Sequence, residues 1–252
     1  MKSLPRIGVI SGRYPPTRFN SIVNHRIYCS LHGYTYINCA WPTTQTNPYM
    51  NKLAYIKEYY GLFDYLFWLD DDAFFLNLEW RLEEYLPRDL NFLSICRSPS
   101  YKELKTYFSS GQFILSLNDT GRAFVDKLLQ LNWNDVRSWW PHDKYFFTGG
   151  DQDKMTYLVN QHKDFLGRVM FYDHSAFNSR PEELLSDPHG NVNVLHFTGT
   201  VSKKRSDYKK VQCLLGRGAS LLPKELEKTL VRPNSSWLSW IQKSFLKICG
   251  IK

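Results

Sequence analysis

The sequence predicts an α/β fold in which a mixed, mainly parallel sheet is flanked by helices and followed by a basic C-terminal helical appendage. Strand-like and helix-like segments alternate up to residue 69, in the order expected of parallel strands joined by crossover helices. Residues 65–69 form an uninterrupted apolar and aromatic run, which is typical of a central strand covered on both faces. The last 52 residues hold 12 Lys and Arg against 3 Asp and Glu, so the positive charge lies in the tail.

Each early element follows from a local pattern. Asn20 or Ser21 is placed to cap a helix with apolar positions at helical spacing, and Gly33 is placed to end it. Pro48 opens a second helical stretch that stops near Gly61. The predicted elements are a strand at 6–11, a helix at 20–32, a strand at 34–39, a helix at 48–61 and a strand at 65–69.

The rest of the body continues the alternation. We predict helices at 79–85, 119–131 and 151–160, and strands at 91–96, 112–117, 167–172 and 191–197. A chain of 252 residues with 43% hydrophobic residues is long enough for one large domain. We therefore expect one domain over residues 1–200 and a basic, aromatic extension over 201–252.

Composition limits the classes of partner and compartment. The net charge is +8, but residues 1–200 hold 20 basic and 21 acidic residues, so we expect no nucleic-acid partner for the body. No apolar run reaches the roughly 20 residues that cross a bilayer, and Pro5 and Arg6 interrupt the first apolar block. The five cysteines never form a CxxC pair, which favours free thiols. We expect a cytoplasmic protein that contacts the inner membrane face peripherally.

The sharpest chemical feature is a run of three carboxylates, Asp70, Asp71 and Asp72, at the end of the apolar strand. In extended backbone Asp70 and Asp72 project to one face, where they offer two hard oxygen ligands to magnesium or manganese. Such an ion typically also binds the phosphates of a nucleotide. The alternative is an acidic turn at the protein surface.

Three further segments carry candidate site residues. His196 ends a strand before Gly199 and a basic cluster of Lys203, Lys204 and Arg205, so it is a candidate third metal ligand or a core histidine. Asp151 and Gln152 open a helix after two glycines, where Asp151 would serve equally well as an N-cap. Gly111 precedes an apolar strand, and a ligand could approach the backbone there.

Taken in order, these segments resemble the metal-dependent glycosyltransferases of GT-A (Rossmann-like) fold, most closely family 34, the galactosyl and xylosyl transferases, and they are also similar to family 8. Family 34 usually has Asn where Ser110 stands. The matching pieces are Asn24, His32-Gly33-Tyr34, Lys52, Trp68-Leu69-Asp70-Asp71-Asp72-Ala73-Phe74, Ser110-Gly111-Gln112-Phe113-Ile114-Leu115, Asp151-Gln152, Phe177-Asn178-Ser179 and His196-Phe197-Thr198-Gly199.

The resemblance implies a hexosyl- or pentosyltransferase with a UDP-sugar donor, galactose-like as a first expectation, and a glycan or glycolipid acceptor. It implies that Asp70, Asp72 and His196 hold manganese or magnesium on the donor diphosphate and that Asp151 and Gln152 face the sugar. It also implies retention of anomeric configuration. The candidate donor-binding residues are Ser11, Lys52, Gly111, Gly199 and Lys203.

The tail has an amphipathic pattern. Trp237, Ile241, Phe245 and Ile248 lie on one helical stripe, as in a helix that lies on an anionic membrane. The alternative is a helix that packs this stripe against the catalytic body.

Three other functions fit part of the sequence. A phosphotransferase using an Asp-x-Asp pair usually has Thr or Val two places after the second Asp, where Phe74 stands here. A nucleotidyltransferase wants a glycine-rich loop after the first strand, which Ser11-Gly12-Arg13 does not provide. A non-catalytic nucleic-acid or membrane module would use the basic tail and leave the aspartates unexplained.

Overall fold

A computed structural model describes residues 4–16, 19–101 and 104–230. The predicted tail helix therefore lies outside the described residues. The strands, in chain order, are β1 (Ile7–Gly12), β2 (Thr35–Cys39), β3 (Tyr65–Leu69), β4 (Ala73–Phe75), β5 (Leu93–Cys96), β6 (Ser100–Tyr101), β7 (Leu104–Lys105), β8 (Gln112–Ser116), β9 (Val169–Tyr172) and β10 (Val194–His196).

The α-helices of the same ranges are α1 (Ser21–His32), α2 (Asn51–Glu58), α3 (Asp119–Gln130), α4 (Trp133–Trp139), α5 (Asp151–Gln161), α6 (His174–Phe177), α7 (Pro181–Ser186), α8 (Val201–Leu215) and α9 (Lys224–Leu230). Short 3-10 helices cover Pro48–Met50 and Leu82–Tyr85. The α-helix predicted at 79–85 was wrong, because only this single 3-10 turn forms there. No helix among the described residues is long and apolar enough to cross a membrane.

The central sheet has six strands in the order β2-β1-β3-β8-β5-β9. The pairs β1–β2, β1–β3 and β5–β9 are parallel, whereas β8 runs antiparallel to both of its neighbours. The predicted mixed, mainly parallel sheet is therefore confirmed. A separate two-stranded antiparallel sheet joins β4 to β10.

The residues of β3 alternate between the two faces of the sheet. Leu66 and Trp68 belong to a core cluster that includes apolar residues of α2, α3 and α5. Phe67 and Leu69 belong to the opposite cluster, which includes residues of α1. The helices thus cover both faces, which is why the sequence of this strand is continuously apolar.

The helix α1 begins and ends where the sequence predicts. Gly33 follows it in the left-handed conformation, with φ of 73°, which a glycine adopts without steric cost. Asn20 is the N-cap residue but makes no capping hydrogen bond with its side chain. The Ser21 hydroxyl instead donates to the carbonyl oxygen of Asp71 over 2.7 Å, so the start of the helix is tied to the acidic segment.

A third apolar cluster joins α8 to the body. Val211 of α8 is fully buried with Phe74 of β4, Leu195 of β10 and Phe197. Residues beyond 200 therefore share a core with the preceding sequence. The predicted division at residue 200 stays a prediction, because much of the extension lies outside the described ranges. Cys29, Cys39, Cys96 and Cys213 are free thiols, as predicted.

Candidate active site

The three aspartates form the turn between β3 and β4, at the carboxyl end of the central strand. The backbone N–H of Ala73 donates to the carbonyl oxygen of Asp70 over 3.0 Å and closes this turn. The segment is thus a turn and not the extended backbone from which we predicted a shared face. Asp70 and Asp72 nevertheless converge, because the turn folds the second carboxylate back toward the first.

The small β4–β10 sheet brings the histidine to this turn. In its antiparallel register His196 lies opposite Ala73. The N–H of Phe197 donates to the carbonyl oxygen of Asp72 over 3.0 Å, which extends the pairing into the turn. Residues more than 120 positions apart in the sequence are therefore fixed side by side by backbone hydrogen bonds.

Asp70, Asp72 and His196 form a candidate metal site. One ligand atom from each lies within 4.8 Å of the others. Nε2 of His196 is 3.2 Å from Oδ1 of Asp72 and 3.9 Å from Oδ2 of Asp70. The other oxygen of Asp70, Oδ1, accepts a hydrogen bond from Nε1 of Trp68 over 2.7 Å. That bond fixes the carboxylate with Oδ2 on the side of the histidine.

The donor atoms fit a hard divalent cation. Oδ1 of Asp72 is fully buried and accepts no hydrogen bond, which is costly for a carboxylate oxygen without another partner. Burial lowers the pKa of His196 below its ordinary value, although the Asp72 carboxylate opposes this, so the imidazole is neutral at pH 7. Two carboxylate oxygens and a neutral imidazole nitrogen suit manganese, and magnesium with its preference for oxygen.

Asp72 is ionised in this environment. Burial by itself raises its pKa, but the interactions with His196 and with the Lys204 ammonium outweigh it and hold the pKa well below its ordinary value. The Lys204 ammonium of α8 pairs with Oδ2 of Asp72. The sequence placed Lys204 in a basic cluster but gave no sign that it reaches the acidic turn.

Gly111 leaves room for the metal site. A Cβ atom at this position would lie 2.5 Å from Cε1 of His196 and 3.1 Å from Oδ2 of Asp70. Its carbonyl oxygen accepts the N–H of Asp70 over 2.8 Å, so the backbone of the two segments is in direct contact. The prediction that a ligand approaches the backbone here stays a prediction, and the groups that crowd this position in the structure are side chains of the candidate metal site.

Lys52 connects the candidate metal site to α5. Its ammonium is buried, 3.3 Å from Oδ1 of Asp70 and 3.1 Å from Oδ2 of Asp151, and it donates to the carbonyl oxygen of Ser110 over 3.0 Å. Burial lowers the pKa of Lys52, but the two carboxylates outweigh it and raise the pKa above its ordinary value. The side chain therefore carries a full charge between two acids.

Asp151 does not act as the helix cap that we considered. The N-cap residue is Gly150, and the capping position makes no side-chain hydrogen bond. Asp153 instead holds the preceding loop, because its carboxylate accepts the N–H groups of Thr148 and Gly149 over 2.9 and 2.6 Å. Asp151 is left to its ion pair with Lys52.

Gln152 lies beside Asp151 at the same edge. Its amide oxygen, which the resemblance directs to the sugar, accepts the N–H of Ser110 over 3.2 Å. The side chain is thereby oriented by the segment that precedes β8.

The remaining predicted donor-binding residues are Gly199, Lys203 and Ser11. Gly199 has φ of 94°, and Lys203 of α8 pairs with Glu182 and with Asp207. Ser11 is buried on β1, opposite Leu69 in the parallel register, and does not line the cavity described next.

A cavity of about 680 Å³ lies over the site. This volume is within the range of about 300–1,000 Å³ that small-molecule sites occupy. Asp72 is not part of its lining. The predicted site residues in its lining are Lys52, Asp70, Gly111, Asp151, Gln152, His196, Gly199 and Lys203.

Sequence reasoning did not identify Arg180, which also lines this cavity. Its Nη1 donates to Oδ1 of Asn178 over 2.6 Å and lies 3.0 Å from Nδ1 of His196. The sequence around an isolated arginine in a polar segment contains no motif that predicts a functional role for it. Its position directly after the family-like Phe177-Asn178-Ser179 segment was the one available signal.

The central sheet, the carboxylates after its third strand and the cavity at that edge define a GT-A fold of the glycosyltransferase type. The chain belongs to the galactosyl transferase GMA12/MNN10 family, whose model matches residues 13–207. The predicted resemblance to family 34 is therefore confirmed.

One curated relative is xyloglucan 6-xylosyltransferase 2 of Arabidopsis thaliana, 23% identical over 83% of this chain. The matched region is 54% of that relative's length, so the chain spans about half of it.

Solved structures confirm the fold. A glycosyltransferase involved in glycosylation of the major capsid of PBCV-1 superposes with a TM-score of 0.58 at 14% identity, over 80% of this chain and 99% of the other. The galactosyltransferase LgtC, crystallised with donor and acceptor sugar analogs, gives 0.52 at 14% identity over 88% and 99%. The glycosyltransferase GlyE of Streptococcus pneumoniae TIGR4 gives 0.54 at 13% identity over 98% and 64%.

Proposed function

We propose that the chain transfers a sugar from a UDP-sugar to a glycan or glycolipid acceptor with the help of manganese or magnesium. The observation that carries this proposal is the convergence of Asp70, Asp72 and His196 next to the cavity, with a buried carboxylate oxygen that no hydrogen bond satisfies. A bound cation would neutralise charge on the leaving diphosphate. Family membership supports glycosyl transfer over the phosphotransferase and binding-module alternatives.

The chain's own residues divide the remaining work. Lys203 and Lys204 line the cavity, and they supply positive charge for an anionic donor. Asp151 contacts Lys52, which also pairs with Asp70, and Gln152 is joined to Lys52 through the backbone of Ser110. We propose that Asp151 and Gln152 face the transferred sugar.

We further propose that the anomeric configuration is retained. Asp151 is 3% exposed and is paired with a buried ammonium, which lowers its reactivity as a covalent nucleophile. A front-face substitution, in which the leaving phosphate takes the proton of the acceptor hydroxyl, needs no carboxylate nucleophile. A double displacement is the alternative.

The identity of the sugar is a second open part of the proposal. The family description names galactosyl transfer, whereas the plant relative is named for xylosyl transfer. We keep galactose as the first choice and xylose as the second.

The test is release of UDP from a panel of UDP-sugars with and without manganese, for the parent chain and for Asp72→Asn. We expect one sugar to be hydrolysed slowly, with a loss of about 100-fold or more in the variant. Proton NMR of a transfer product then reads the anomeric configuration. If manganese with UDP neither binds in calorimetry nor supports release with any sugar, the transferase proposal is wrong.

We propose peripheral contact with an anionic membrane and a cytoplasmic location on the basis of the charge in residues 201–252. Flotation with vesicles of neutral and of anionic lipid tests the membrane part. Binding to neither type of vesicle would contradict it.

A further inference from the structure

His196 contacts three side chains, and two of them require different protonation states of the same ring nitrogen. Nδ1 lies 3.0 Å from Nη1 of Arg180 and 3.0 Å from Oδ1 of Asn178. Nε2 lies 3.2 Å from Oδ1 of Asp72. A guanidinium only donates hydrogen bonds, and an amide oxygen only accepts them. A hydrogen bond from Arg180 therefore requires a lone pair on Nδ1, whereas a hydrogen bond to Asn178 requires a proton on the same atom.

Nδ1 of a neutral imidazole can form only one of these two hydrogen bonds at a time. If Nδ1 accepts from Arg180, the single ring proton is on Nε2, the nitrogen that lies 3.2 Å from Oδ1 of Asp72. In that form Nε2 has no lone pair to give to a cation. If Nδ1 donates to Asn178, the lone pair is on Nε2, on the side of the two aspartates, and the ring can act as a ligand.

The orientation of the Asn178 amide is not arbitrary. Arg180 donates to its oxygen over 2.6 Å, and a reversed amide would place an NH₂ group against the guanidinium. In the present orientation the buried Nδ2 has no hydrogen-bond partner. The orientation that places the Asn178 oxygen beside Nδ1 of His196 therefore leaves the Asn178 amide nitrogen without a hydrogen bond to any described residue.

Among the residues that the structure describes, the guanidinium of Arg180 lacks an ion-pair partner of its own. In the described part of the chain no carboxylate lies within ion-pair distance of its guanidinium, because Glu182 pairs with Lys203 and Glu183 with His174. A mostly buried arginine without such a partner is costly. Its Nη1 donates to two oxygens of Asn178 and lies 3.0 Å from Nδ1 of His196.

From these contacts we infer that Arg180 and Asn178 select the tautomer of His196: Arg180 holds the proton on Nε2 in the metal-free chain, and Asn178 accepts the proton on Nδ1 when a cation binds. The inference rests on the metal role proposed above. Arg180 is a positioning residue that opposes cation binding, and Asn178 is a positioning residue that supports it.

The direct test is ¹⁵N NMR of the chain labelled at histidine, recorded without metal and with saturating magnesium, which is diamagnetic. We expect the His196 signals to show a protonated Nε2 and an unprotonated Nδ1 without metal, and the two nitrogens to exchange roles with magnesium. A protonated Nδ1 in the metal-free chain, whether alone or in a doubly protonated ring, would overturn the inference.

Two variants separate the two residues. Arg180→Met should move the metal-free ring toward the Nδ1-protonated form and tighten manganese binding in calorimetry severalfold. Asn178→Ala should leave the metal-free tautomer unchanged and weaken manganese binding by about tenfold, as expected when the partner of a ligating histidine is lost. Effects of the same sign in both variants would contradict the inference.

Lys57→Met is the control for charge, since it removes one positive charge that pairs with Asp126 and contacts neither Arg180 nor His196. We expect it to leave the ring signals unchanged. If Asn178→Ala does not fold, the spectra of the parent chain and of Arg180→Met still decide. Failure of any cation to bind, with the predicted metal-free tautomer observed, would count against the proposed function and not against the role of Arg180.

Discussion

The ammonium of Lys204 at the start of α8 pairs with Oδ2 of Asp72, on the side of the carboxylate away from His196. Asp72 is 4% exposed, so its charge needs a counter-charge within the protein. Lys204 of α8 provides that charge, although it lies more than 120 residues from Asp72 in the sequence. The acidic turn and α8 are therefore coupled electrostatically as well as through the cluster around Val211.

Lys204→Met should destabilise the metal-free chain by about 1–3 kcal/mol, because the buried carboxylate loses its ammonium partner while the lysine was partly solvated. Saturating manganese should recover most of this loss, since the cation supplies the missing charge. Urea unfolding with and without manganese measures both values. Lys210→Met is the control on the same helix, because this lysine is exposed and lies 3.8 Å from Asp207, and the change should affect stability little. Equal losses with and without manganese would contradict the prediction.

Gly111→Ala should weaken manganese binding by about 10–100-fold while the chain stays folded. The added methyl group would lie 2.5 Å from the His196 ring and force it away from the aspartates. Calorimetry with manganese gives the affinity, and circular dichroism checks the fold. Gly61→Ala is the matched control, because a Cβ atom there meets nothing within 4 Å. An alanine at position 111 that binds manganese as well as the parent would show that the ring does not take part.

Much of the fold was predictable because its signals are local. The apolar run at 65–69, the glycine after α1 and the spacing of apolar positions each depend on neighbours in sequence, and the corresponding elements form as expected. The convergence of Asp70, Asp72 and His196 was predictable from strand ends and from the family resemblance.

The contacts that complete the site were not predictable in the same way. β4 is only three residues long, and nothing in Ala73–Phe75 indicates an antiparallel partner near residue 195. Lys204 and Arg180 are surface-type residues by composition, and only the tertiary structure buries their charged ends in the site. The turn at 70–72 likewise depends on the pairing of β4 with β10.

Lys52→Met should destabilise the chain by about 3 kcal/mol, because Asp151 would remain buried without its ion-pair partner. Lys57→Met on the same helix is the control, since its pair with Asp126 is half exposed and should contribute at most about 1 kcal/mol. Urea unfolding at neutral pH measures both. Adding Asp151→Asn to Lys52→Met should recover part of the loss. A double variant no more stable than Lys52→Met would show that the unpaired charge of Asp151 is not the cause.

His25 should make the chain less stable in mild acid. It is fully buried on α1, where its Nε2 donates to the carbonyl oxygen of Ala73 over 2.8 Å, and burial lowers its pKa from 6.5 to about 4. The unfolded chain therefore takes up a proton first as the pH falls, so this contribution is present above pH 6.5 and is lost progressively toward pH 4. The full loss is about 3 kcal/mol at 1.36 kcal/mol per pH unit. His25→Gln, which keeps a hydrogen-bond donor, should flatten the dependence of the unfolding free energy on pH between 6.5 and 4 relative to the parent. His189→Gln, at an exposed position, should not. Parallel curves for the parent and His25→Gln would show that another group controls the acid response.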